Sequence, residues 1–452
     1  MAHFDAIVIG AGPAGQHCAG HLSDGGLRVA IVERELVGGE CDYWACIPSK
    51  TLLRPGEALQ AAREAPGAAE AVSGGVRPAG AFEWRDFMVS EYHDEAKVGY
   101  LEGKGIEVMR GAARLTGPGS VTVGDDAHSA DHVVIATGSD PVKPPIPGLD
   151  DLDGVWTNRE VTGLTEVPQR LLILGGGPVG VEMAQAVHRL GASVALVEGM
   201  DHVLPREPRQ LGEGLGAALA ADGIELYFGE QAGGVRREGE EYVLEFADRD
   251  ELRGDRLLVA TGRRARVDEL GLDTVGVEPT RQGIPVDERM RVADGLWAIG
   301  DATGIWPLTY VGKYQGRVVA ANILGNDRTA NFDAVPRVVY TDPQAASVGE
   351  PEGPLTATVP LAEVPRTSTY TRAYAERPGF ITLVSDGERL TGAYALGPEA
   401  GEWLQQATVA IRARVPLPLL FDVIQPFPSF SEAFLPALTE LEAQLAAAPA
   451  AA

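Results

Sequence analysis

Short runs of apolar residues, each followed by glycines and a segment of helical spacing, recur along the chain. The first run, residues 4–9, leads into the glycine-rich stretch 10–15 and then into a helical pattern that reaches about Asp24. A second apolar run, residues 27–32, ends at Glu33. Apolar runs of this length that alternate with helical segments are typical of buried parallel strands with crossover helices. The N-terminal region is therefore predicted to be an α/β unit.

The same order of elements occurs a second time in the middle of the chain. Residues 171–174 form an apolar run that leads into the glycine-rich stretch 175–180 and a helical segment to about Leu190. Another apolar run, residues 193–197, ends at Glu198. The same interval separates the first glycines of the two repeats and their closing glutamates. The chain is therefore predicted to contain two copies of one unit.

Both glycine-rich stretches have the G-x-G-x-x-G spacing of dinucleotide-binding turns. The first glycine allows the tight turn, the second lets the backbone approach a pyrophosphate, and the third lets the helix pack on the strand. The acid that closes each repeat can accept hydrogen bonds from both hydroxyls of a ribose. One such motif is weak evidence, but two in matching order predict two bound dinucleotides. The glycines are Gly10, Gly12 and Gly15 in the first repeat and Gly175, Gly177 and Gly180 in the second.

Two further apolar runs, residues 131–138 and 255–262, each end in the sequence Ala-Thr-Gly. Each is predicted to be the return strand of its repeat, ending in a glycine turn beside the cofactor. Between the repeats, the proline-rich segment 140–148 can be neither a helix nor a central strand, so it is predicted to be a domain crossing. The candidate cofactor-binding residues of the two turns are Thr137 and Gly138 in the first and Gly262 in the second.

Length and charge narrow the class of protein. At 452 residues the chain is long enough for two to four domains. A net charge of −26 disfavours nucleic acid or an anionic membrane as a partner. No apolar run is long enough to cross a bilayer, and the N-terminus lacks the pattern of a secretory signal. We therefore expect a cytoplasmic protein that binds phosphate groups through backbone amides and helix ends.

Two of the three cysteines, Cys41 and Cys46, stand close together in residues 38–50. Lys50 follows Cys46 by one helical turn, so the ammonium group and the thiol are expected on one helix face. A nearby cation stabilises a thiolate. Pro48, which lies between them, is expected to bend that helix. The cysteines could be small buried hydrophobes or a reactive pair. A zinc site is disfavoured because it would need four ligands and the chain has only one other cysteine. A structural disulfide is disfavoured because such bonds are rare in the cytosol. The neighbouring dinucleotide motifs favour thiol–disulfide exchange, and no metal site is predicted.

Taken together, these motifs resemble the class I pyridine nucleotide–disulfide oxidoreductases, the family of dihydrolipoamide dehydrogenase, glutathione reductase and mercuric reductase. The family's redox motif, GGxCxxxxCxPSK, is matched by residues 38–50. Residues 296–301 resemble the segment whose aspartate, here Asp301, holds the ribityl chain of the flavin. Residues 335–343 resemble the start of the family's dimerisation domain. The resemblance extends over almost the whole chain.

The resemblance implies an α/β fold like that of glutathione reductase, with two Rossmann-like dinucleotide-binding domains and an α+β C-terminal dimerisation domain. The implied domains are an FAD-binding domain at 1–150, an NAD-binding domain at 151–270, a return segment of the FAD domain at 271–330 and an interface domain at 331–452. A homodimer is therefore expected.

The resemblance also implies cofactors and roles. FAD would bind the first repeat and a nicotinamide nucleotide the second, so that electrons pass from NAD(P)H through the flavin to a disulfide. Cys46 matches the sulfur that faces the flavin, and Cys41 matches the interchange thiol. Lys50 matches a lysine near flavin N5, and Glu182 matches the glutamate that pairs with it. From the residues alone, Glu182 could also be an acid that offsets a helix dipole.

The choice of nicotinamide nucleotide follows from charge. Glu198 ends its strand where an enzyme specific for NADPH needs cations for the 2′-phosphate. Residues 199–204 add another acid and no arginine. A carboxylate there would repel the phosphate, so the sequence predicts a preference for NADH.

The sequence departs from the family near its C-terminus. The family's reductases carry a histidine–glutamate dyad, and residues 425–432 retain the glutamate as Glu432 but have Phe427 at the histidine position. Phenylalanine cannot exchange a proton, and general acid–base assistance typically contributes about 10²–10⁴-fold. We therefore expect an unusual electron acceptor. Tyr310 near the flavin and Pro178 near the nicotinamide also differ from the family's usual residues.

The leading hypothesis is an NADH-dependent, FAD-containing dithiol/disulfide oxidoreductase with a small-molecule acceptor, which could be a disulfide, a thiol-bound species or a quinone-like compound. A diaphorase or quinone reductase, in which the reduced flavin passes electrons on directly, is one alternative. A mercuric-type metal reductase is another, although no C-terminal cysteine pair is present to collect the metal. A non-enzymatic flavoprotein subunit would leave the cysteine motif unexplained.

Overall fold

The computed structural model describes residues 2–370 and 379–447. The strands, in chain order, are β1 (Ala2–Ile9), β2 (Val29–Glu33), β3 (Glu107–Arg110), β4 (Ala113–Gly117), β5 (Ser120–Val123), β6 (Asp126–Ile135), β7 (Ser139–Pro141), β8 (Arg170–Leu174), β9 (Ser193–Glu198), β10 (Glu225–Phe228), β11 (Gly234–Glu238), β12 (Glu241–Glu245), β13 (Leu252–Gly254), β14 (Arg256–Val259), β15 (Arg263–Ala265), β16 (Arg291–Ala293), β17 (Leu296–Ala298), β18 (Arg337–Val339), β19 (Gln344–Gly349), β20 (Leu355–Pro360), β21 (Phe380–Ser385) and β22 (Leu390–Gly397).

The helices, in chain order, are α1 (Pro13–Asp24), α2 (Gly39–Tyr43), α3 (Cys46–Glu64), α4 (Pro78–Met88), α5 (Glu95–Gly103), α6 (Asn158–Thr162), α7 (Pro178–Arg189), α8 (Arg209–Asp222), α9 (Thr309–Ile323), α10 (Pro365–Tyr370), α11 (Ala400–Trp403), α12 (Gln405–Arg412), α13 (Leu417–Phe421) and α14 (Phe434–Ala447). Short 3-10 turns, among them Ser90–Tyr92 and Gly300–Thr303, lie between them.

The chain divides into two compact units, each made of three segments. The first unit consists of the residues up to 48 together with 83–142 and 262–331. The second unit consists of 49–82, 143–261 and the residues from 332 onward. Cys41 and Cys46 belong to the first unit, whereas Lys50 belongs to the second. The domain boundaries at 150, 270 and 330 stay predictions.

The first unit is built on a sheet with the strand order β16-β17-β6-β1-β2-β3, and β5 and β4 follow from β6. Strand β1 runs parallel to both of its neighbours, β2 and β6. Its residues from Ala6 to Ile9 are buried, and Ile7 and Ile9 share a core with Leu115 of β4 and Val121 of β5. The apolar run at 4–9 is thus a buried parallel strand, as predicted.

The second unit contains a parallel sheet with the order β10-β9-β8-β14 and a small antiparallel sheet of β11, β12 and β13. Strands β8 and β9 are the predicted apolar runs, and helix α7 connects them. A separate antiparallel sheet has the order β18-β19-β22-β21-β20. Apolar residues of this sheet and of α12, α13 and α14 form one core, which includes Ile381, Leu383, Leu417, Phe434 and Leu441. This is the predicted α+β arrangement.

Two expectations about proline have different outcomes. The segment 140–148 contains no helix and contributes Asp140 and Pro141 to the short strand β7, which pairs with β15. That agrees with its predicted role as a crossing. Helix α3, however, is continuous from Cys46 and passes through Pro48 and Pro55. Pro48 lies in the first turn, where a missing N–H costs no internal hydrogen bond, so the helix continues through it, and the expected bend stays a prediction.

Candidate active site

The first glycine-rich turn joins strand β1 to helix α1. Gly10 has a φ of +105°, and a Cβ at this position would lie 2.3 Å from the carbonyl oxygen of Ala136. A Cβ at Gly15 would lie 1.9 Å from the carbonyl oxygen of Gly10. Gly12 faces open space, since no atom lies within 4 Å of a Cβ built there. The turn thus needs its outer glycines for its own shape and leaves the backbone at Gly12 accessible to a phosphate.

The second turn, between β8 and α7, repeats this geometry. Gly175 has a φ of +107°, and a Cβ there would lie 2.5 Å from the carbonyl oxygen of Ala260. A Cβ at Gly180 would lie 1.9 Å from the carbonyl oxygen of Gly175, whereas Gly177 faces open space. Both turns therefore fit the pyrophosphate of a dinucleotide, each at the N-terminus of a helix.

Glu33 and Glu198 are bound to the turns that they were predicted to accompany. Oε2 of Glu33 accepts a hydrogen bond from the amide of Ala11 at 2.8 Å, and Oε2 of Glu198 accepts one from the amide of Gly176 at 2.6 Å. Oε1 of each glutamate accepts a second hydrogen bond, from the amide of Glu35 to Glu33 and from the amide of Met200 to Glu198. Carboxylates held at these positions can also accept hydrogen bonds from a ribose, so each unit fits a nucleotide.

The two Thr-Gly pairs lie where their strands end, but both glycines belong to the first unit. Gly138 has a φ of +78° and Gly262 a φ of +137°, and no atom lies within 4 Å of a Cβ built at either. Gly262 accepts a hydrogen bond from the amide of Val142 at 3.0 Å. Gly262 was predicted to bind NAD, and that role stays a prediction.

Asp301 is held by residues that the sequence did not single out. The hydroxyl of Ser139 donates to Oδ2 of Asp301 at 2.6 Å, and Nε of Arg263 donates to that hydroxyl at 2.8 Å. The hydroxyl of Thr137 donates to the carbonyl oxygen of Arg266 at 2.6 Å. Both missed residues follow a Thr-Gly pair directly, and that shared position could have identified them.

Helices α1 and α9 approach each other closely beside Asp301. A Cβ at Gly312 would lie 3.0 Å from the Cβ of Ala14, and a Cβ at Gly300 would lie 3.3 Å from it. The amide of Gly300 donates to Oε1 of the buried Gln315 at 2.6 Å. These contacts fix the Asp301 segment against the first glycine-rich turn.

The two candidate redox cysteines contact each other in the first unit. A hydrogen bond to Cys46, together with burial, raises the pKa of Cys41, and the charge of Asp42 acts in the same direction. The sulfur of Cys46 lies 3.3 Å from the hydroxyl oxygen of Thr309, the first residue of α9. Two thiols in hydrogen-bonding contact can form a disulfide with little movement. Thr309 was missed because nothing in the sequence links it to the cysteines.

Lys50 and Glu182 meet in the second unit. Nζ of Lys50 donates to Oε2 of Glu182 at 2.7 Å, and the amide of Tyr340 donates to Oε1 at 2.9 Å. Nζ also lies 4.7 Å from the centre of the Tyr340 ring. Glu182 is only 5% exposed, so it is not an exposed acid of the first helical turn that merely offsets the helix dipole. Tyr340 is a further residue that sequence reasoning missed.

The segment that carries Phe427 and Glu432, where the family has its histidine–glutamate dyad, is partly exposed. Phe427 is 72% exposed and Ile424 is 95% exposed. Oε2 of Glu432 is shielded from solvent, yet within residues 2–370 and 379–447 no group donates a hydrogen bond to it. A buried carboxylate oxygen ordinarily has a partner. The exposed apolar side chains and this oxygen are features expected of a face that a second subunit covers.

Comparison with protein families and known structures agrees with this geometry. Residues 4–316 match the family described as pyridine nucleotide-disulphide oxidoreductase, and residues 335–438 match its dimerisation domain. The chain is 35% identical to a dihydrolipoyl dehydrogenase of Thermus scotoductus, with 98% of each chain covered. It is 36% identical to a mercuric reductase of Acidithiobacillus ferrooxidans, with 93% of this chain and 79% of that protein covered.

Two solved structures extend the comparison. The Cu(II) complex of the HOCl-induced flavoprotein disulfide reductase RclA from Escherichia coli has a TM-score of 0.85 and 26% identity, covering 97% of this chain and 99% of that one. LpdA from Mycobacterium tuberculosis has a TM-score of 0.84 and 25% identity, covering 98% of this chain and 100% of that one.

These matches confirm the expected family, fold class and cofactors, and the dimerisation domain indicates a homodimer. Within the described residues, no helix combines the length and the apolar character that crossing a membrane would require. With two dinucleotide-binding turns, a cysteine pair and family matches over almost its whole length, the chain belongs to the class I pyridine nucleotide–disulfide oxidoreductases, flavoenzymes that use FAD and NAD(P)H.

Proposed function

We propose that this flavoenzyme oxidises NADH and delivers the electron pair to the Cys41–Cys46 disulfide, and that the resulting dithiol reduces an acceptor that needs no histidine. The observation that carries the proposal is the combination of Phe427 with the raised pKa of Cys41. A thiol is a nucleophile only as its thiolate, and no imidazole stands at position 427 to remove its proton. The proposed place of action is the cytoplasm.

The residues of the first unit support FAD binding. The turn at Gly12, which is rich in backbone amides, would bind the pyrophosphate. Glu33 would bind a ribose. Asp301, which Ser139 orients, would bind the ribityl hydroxyls. When bound, FAD would supply two-electron redox chemistry between the nicotinamide and the Cys41–Cys46 disulfide. Thr309 would hold the sulfur of Cys46 in place, and the raised pKa of Cys41 would keep its thiol protonated.

The residues of the second unit support NADH as the donor. The backbone at Gly177 would take the pyrophosphate, and Glu198 the ribose hydroxyls. Arg206 and Arg209 follow further along the chain, and Arg209 is bound by Asp201 and by Glu213, the latter at 2.7 Å. An arginine engaged by two carboxylates is a poor partner for a 2′-phosphate. The local charge therefore favours NADH over NADPH.

The acceptor class that fits best is a thiophilic metal ion. Coordination to a soft metal deprotonates a thiol directly, so a bound metal replaces the missing base. A disulfide acceptor would depend on the small thiolate fraction of Cys41. A relative with 36% identity is a mercuric reductase, and a structural relative is a Cu(II) complex. We therefore propose Cu(II) or Hg(II) as the acceptor, ahead of small disulfides and quinones.

Acceptor turnover by cysteine variants tests the proposal. NADH consumption by the FAD-loaded enzyme is measured with Cu(II), Hg(II), lipoamide disulfide, glutathione disulfide and a quinone. The variants are Cys41→Ser and Cys46→Ser, with Cys18→Ala as the matched control, because Cys18 is buried in helix α1. We expect metal turnover in the wild type and the control, and its loss in both serine variants.

The alternatives predict different results. Turnover of a quinone that survives in both serine variants would support direct transfer from the flavin. Fast turnover of a small disulfide near pH 7 would show that Cys41 needs no added base, and the metal proposal would lose its basis. Metal turnover unchanged in Cys41→Ser would overturn the dithiol mechanism itself.

A further inference from the structure

The loop between the two redox cysteines is fixed at its centre by Tyr43. This residue is 0% exposed, and its hydroxyl oxygen lies 3.2 Å from the carbonyl oxygens of both Val37 and His93. Burial, with the nearby carboxylates of Asp94 and Asp42, raises the pKa of Tyr43 to about 12, so the hydroxyl keeps its proton and donates to these oxygens.

Charged residues bind the same loop to the segment 93–97. Nζ of Lys97 lies 2.5 Å from Oδ2 of Asp42. Oδ2 of Asp94 accepts a hydrogen bond from the amide of Val37 at 2.6 Å, and Arg110 donates to the same carboxylate at 2.7 and 2.8 Å. Val37 and Asp42, one on each side of Cys41, are therefore both bound to this neighbouring segment.

Tyr92 adds an aromatic contact to these bonds. Its ring centre lies 6.3 Å from that of Tyr43 and 6.4 Å from that of Trp44. The rings of Tyr43 and Trp44 are 5.6 Å apart. These separations are typical of interacting aromatic pairs. Tyr92 thus contacts two of the four residues that separate Cys41 from Cys46.

Tyr92 makes this contact from an unfavourable conformation. Ser90, Glu91 and Tyr92 have φ values of 53°, 51° and 61°, so three successive residues other than glycine lie in the left-handed region. The hydroxyl of Tyr92 is shielded from solvent without a hydrogen-bond partner among the residues that the structure describes, and burial raises its pKa. Such features persist where the surrounding contacts outweigh their cost, and they cluster at functional sites.

We propose that Tyr92 is a positioning residue for the redox pair, which keeps the loop between Cys41 and Cys46 in one conformation when the pair is a dithiol. The proposal rests on the dithiol/disulfide role given above. In the dithiol form of the structure, Cys41 is already hydrogen-bonded to Cys46. Two thiols held together lose little conformational entropy when their bond forms, so positioning stabilises the disulfide.

The effect can be measured by exchange with glutathione. Two glutathione thiols give two electrons and two protons, so the Cys41–Cys46 disulfide becomes two thiols and one glutathione disulfide forms. The FAD-loaded enzyme is equilibrated with mixtures of glutathione and its disulfide, quenched, alkylated after denaturation and weighed by mass spectrometry. Cys18 contributes one alkylated thiol at every ratio, so any further alkylation reports the redox pair.

Removal of the ring should shift this equilibrium. Tyr92→Leu is expected to move it toward the dithiol on the order of tenfold, which corresponds to one residue released from a fixed conformation. Tyr92→Phe keeps the ring and removes the unpartnered hydroxyl, so it should restore the wild-type equilibrium. Tyr100→Leu removes an exposed tyrosine of α5 and serves as the matched control. If Tyr92→Leu does not fold, Trp44→Leu removes the other side of the contact and should shift the equilibrium in the same direction.

The outcomes separate the two proposals. A leucine variant with the wild-type equilibrium would overturn the role of Tyr92 and leave the dithiol mechanism standing. A wild-type enzyme that forms no Cys41–Cys46 disulfide at any glutathione ratio would overturn the proposed function, and the role of Tyr92 with it. An equal shift in Tyr92→Phe would show that the hydroxyl acts and not the ring, which also contradicts the proposal.

Discussion

Glu182 binds Lys50 through one carboxylate oxygen and the backbone amide of Tyr340 through the other. Replacement of Glu182 by glutamine keeps an acceptor for the amide and removes the negative charge beside Lys50. We expect Glu182→Gln to fold normally and to slow reduction of the flavin by NADH about tenfold, because the ammonium group is no longer held in one position. Stopped-flow absorbance at the flavin maximum measures this rate.

A matched alanine variant separates position from stability. Glu182→Ala leaves the amide of Tyr340 without its acceptor, and it should lower the free energy of unfolding by about 1–3 kcal/mol. Denaturant unfolding of both variants gives this difference. Flavin reduction at the wild-type rate in Glu182→Gln would show that the charge of Glu182 is not needed.

Restoration of the missing histidine should improve disulfide turnover. Phe427→His places an imidazole five residues before Glu432, whose Oε2 is shielded and has no donor in the described part of the chain. We expect reduction of lipoamide disulfide near pH 7 to rise at least about tenfold, toward the lower limit of general acid–base assistance. NADH consumption measures the gain.

Two controls define this result. Phe427→Leu changes the apolar side chain without adding a base, so disulfide turnover should stay at the wild-type level. Metal turnover should change little in either variant, since a metal ion needs no proton acceptor at this position. If Phe427→His has no effect on disulfide turnover, position 427 is not where protons are exchanged.

The raised pKa of Cys41 predicts a specific pH dependence. Below its pKa the thiolate fraction of a thiol increases tenfold per pH unit, so the rate at which the reduced enzyme attacks a chromogenic disulfide should rise about tenfold per unit from about pH 7 to 9. The sign follows from the direction of the shift, since a higher pKa leaves less thiolate at neutral pH. Stopped-flow mixing at a series of pH values measures the rate, and a flat profile over this range would contradict the raised pKa.

Glu198 is expected to set the nucleotide preference. Glu198→Gln removes a charge that would stand near the 2′-phosphate of NADPH, and a charge contact at about 4 Å is worth roughly 1–4 kcal/mol at the dielectric constants of a protein surface. The ratio of kcat/KM for NADH to that for NADPH should therefore fall about tenfold. Glu33→Gln, in the first repeat, is the matched control and should leave the ratio unchanged.

The sequence was sufficient to predict those features that depend on residues lying close together along the chain. Strand β1, the turn at Gly10 and the acid Glu33 all lie within one local pattern, and the second repeat supplied a test of it. Helix α1 was predicted to reach about Asp24 and spans Pro13–Asp24, because its helical spacing is local too. The family motifs added the two cysteines, Lys50 and Asp301.

The remaining site residues depend on contacts across long intervals. Ser139 lies 162 residues before Asp301, and Thr309 lies 263 residues after Cys46. Tyr340 donates its backbone amide to an acid 158 residues earlier, and a backbone amide is present in almost every residue type. Nothing in the identity of Thr309 and Tyr340 distinguishes them from other threonines and tyrosines, so they needed the folded structure. Ser139 differs from other serines only in its position directly after a Thr-Gly pair.

The methyl group of Ala14 lies against both Gly300 and Gly312. A larger side chain at position 14 would displace helix α1 from α9 and from the Asp301 segment at once. The proposed contacts to the pyrophosphate and to the ribityl chain of the cofactor therefore cannot be adjusted separately at this position. Laboratory evolution aimed at a different flavin would have to leave Ala14 unchanged and vary the residues around it.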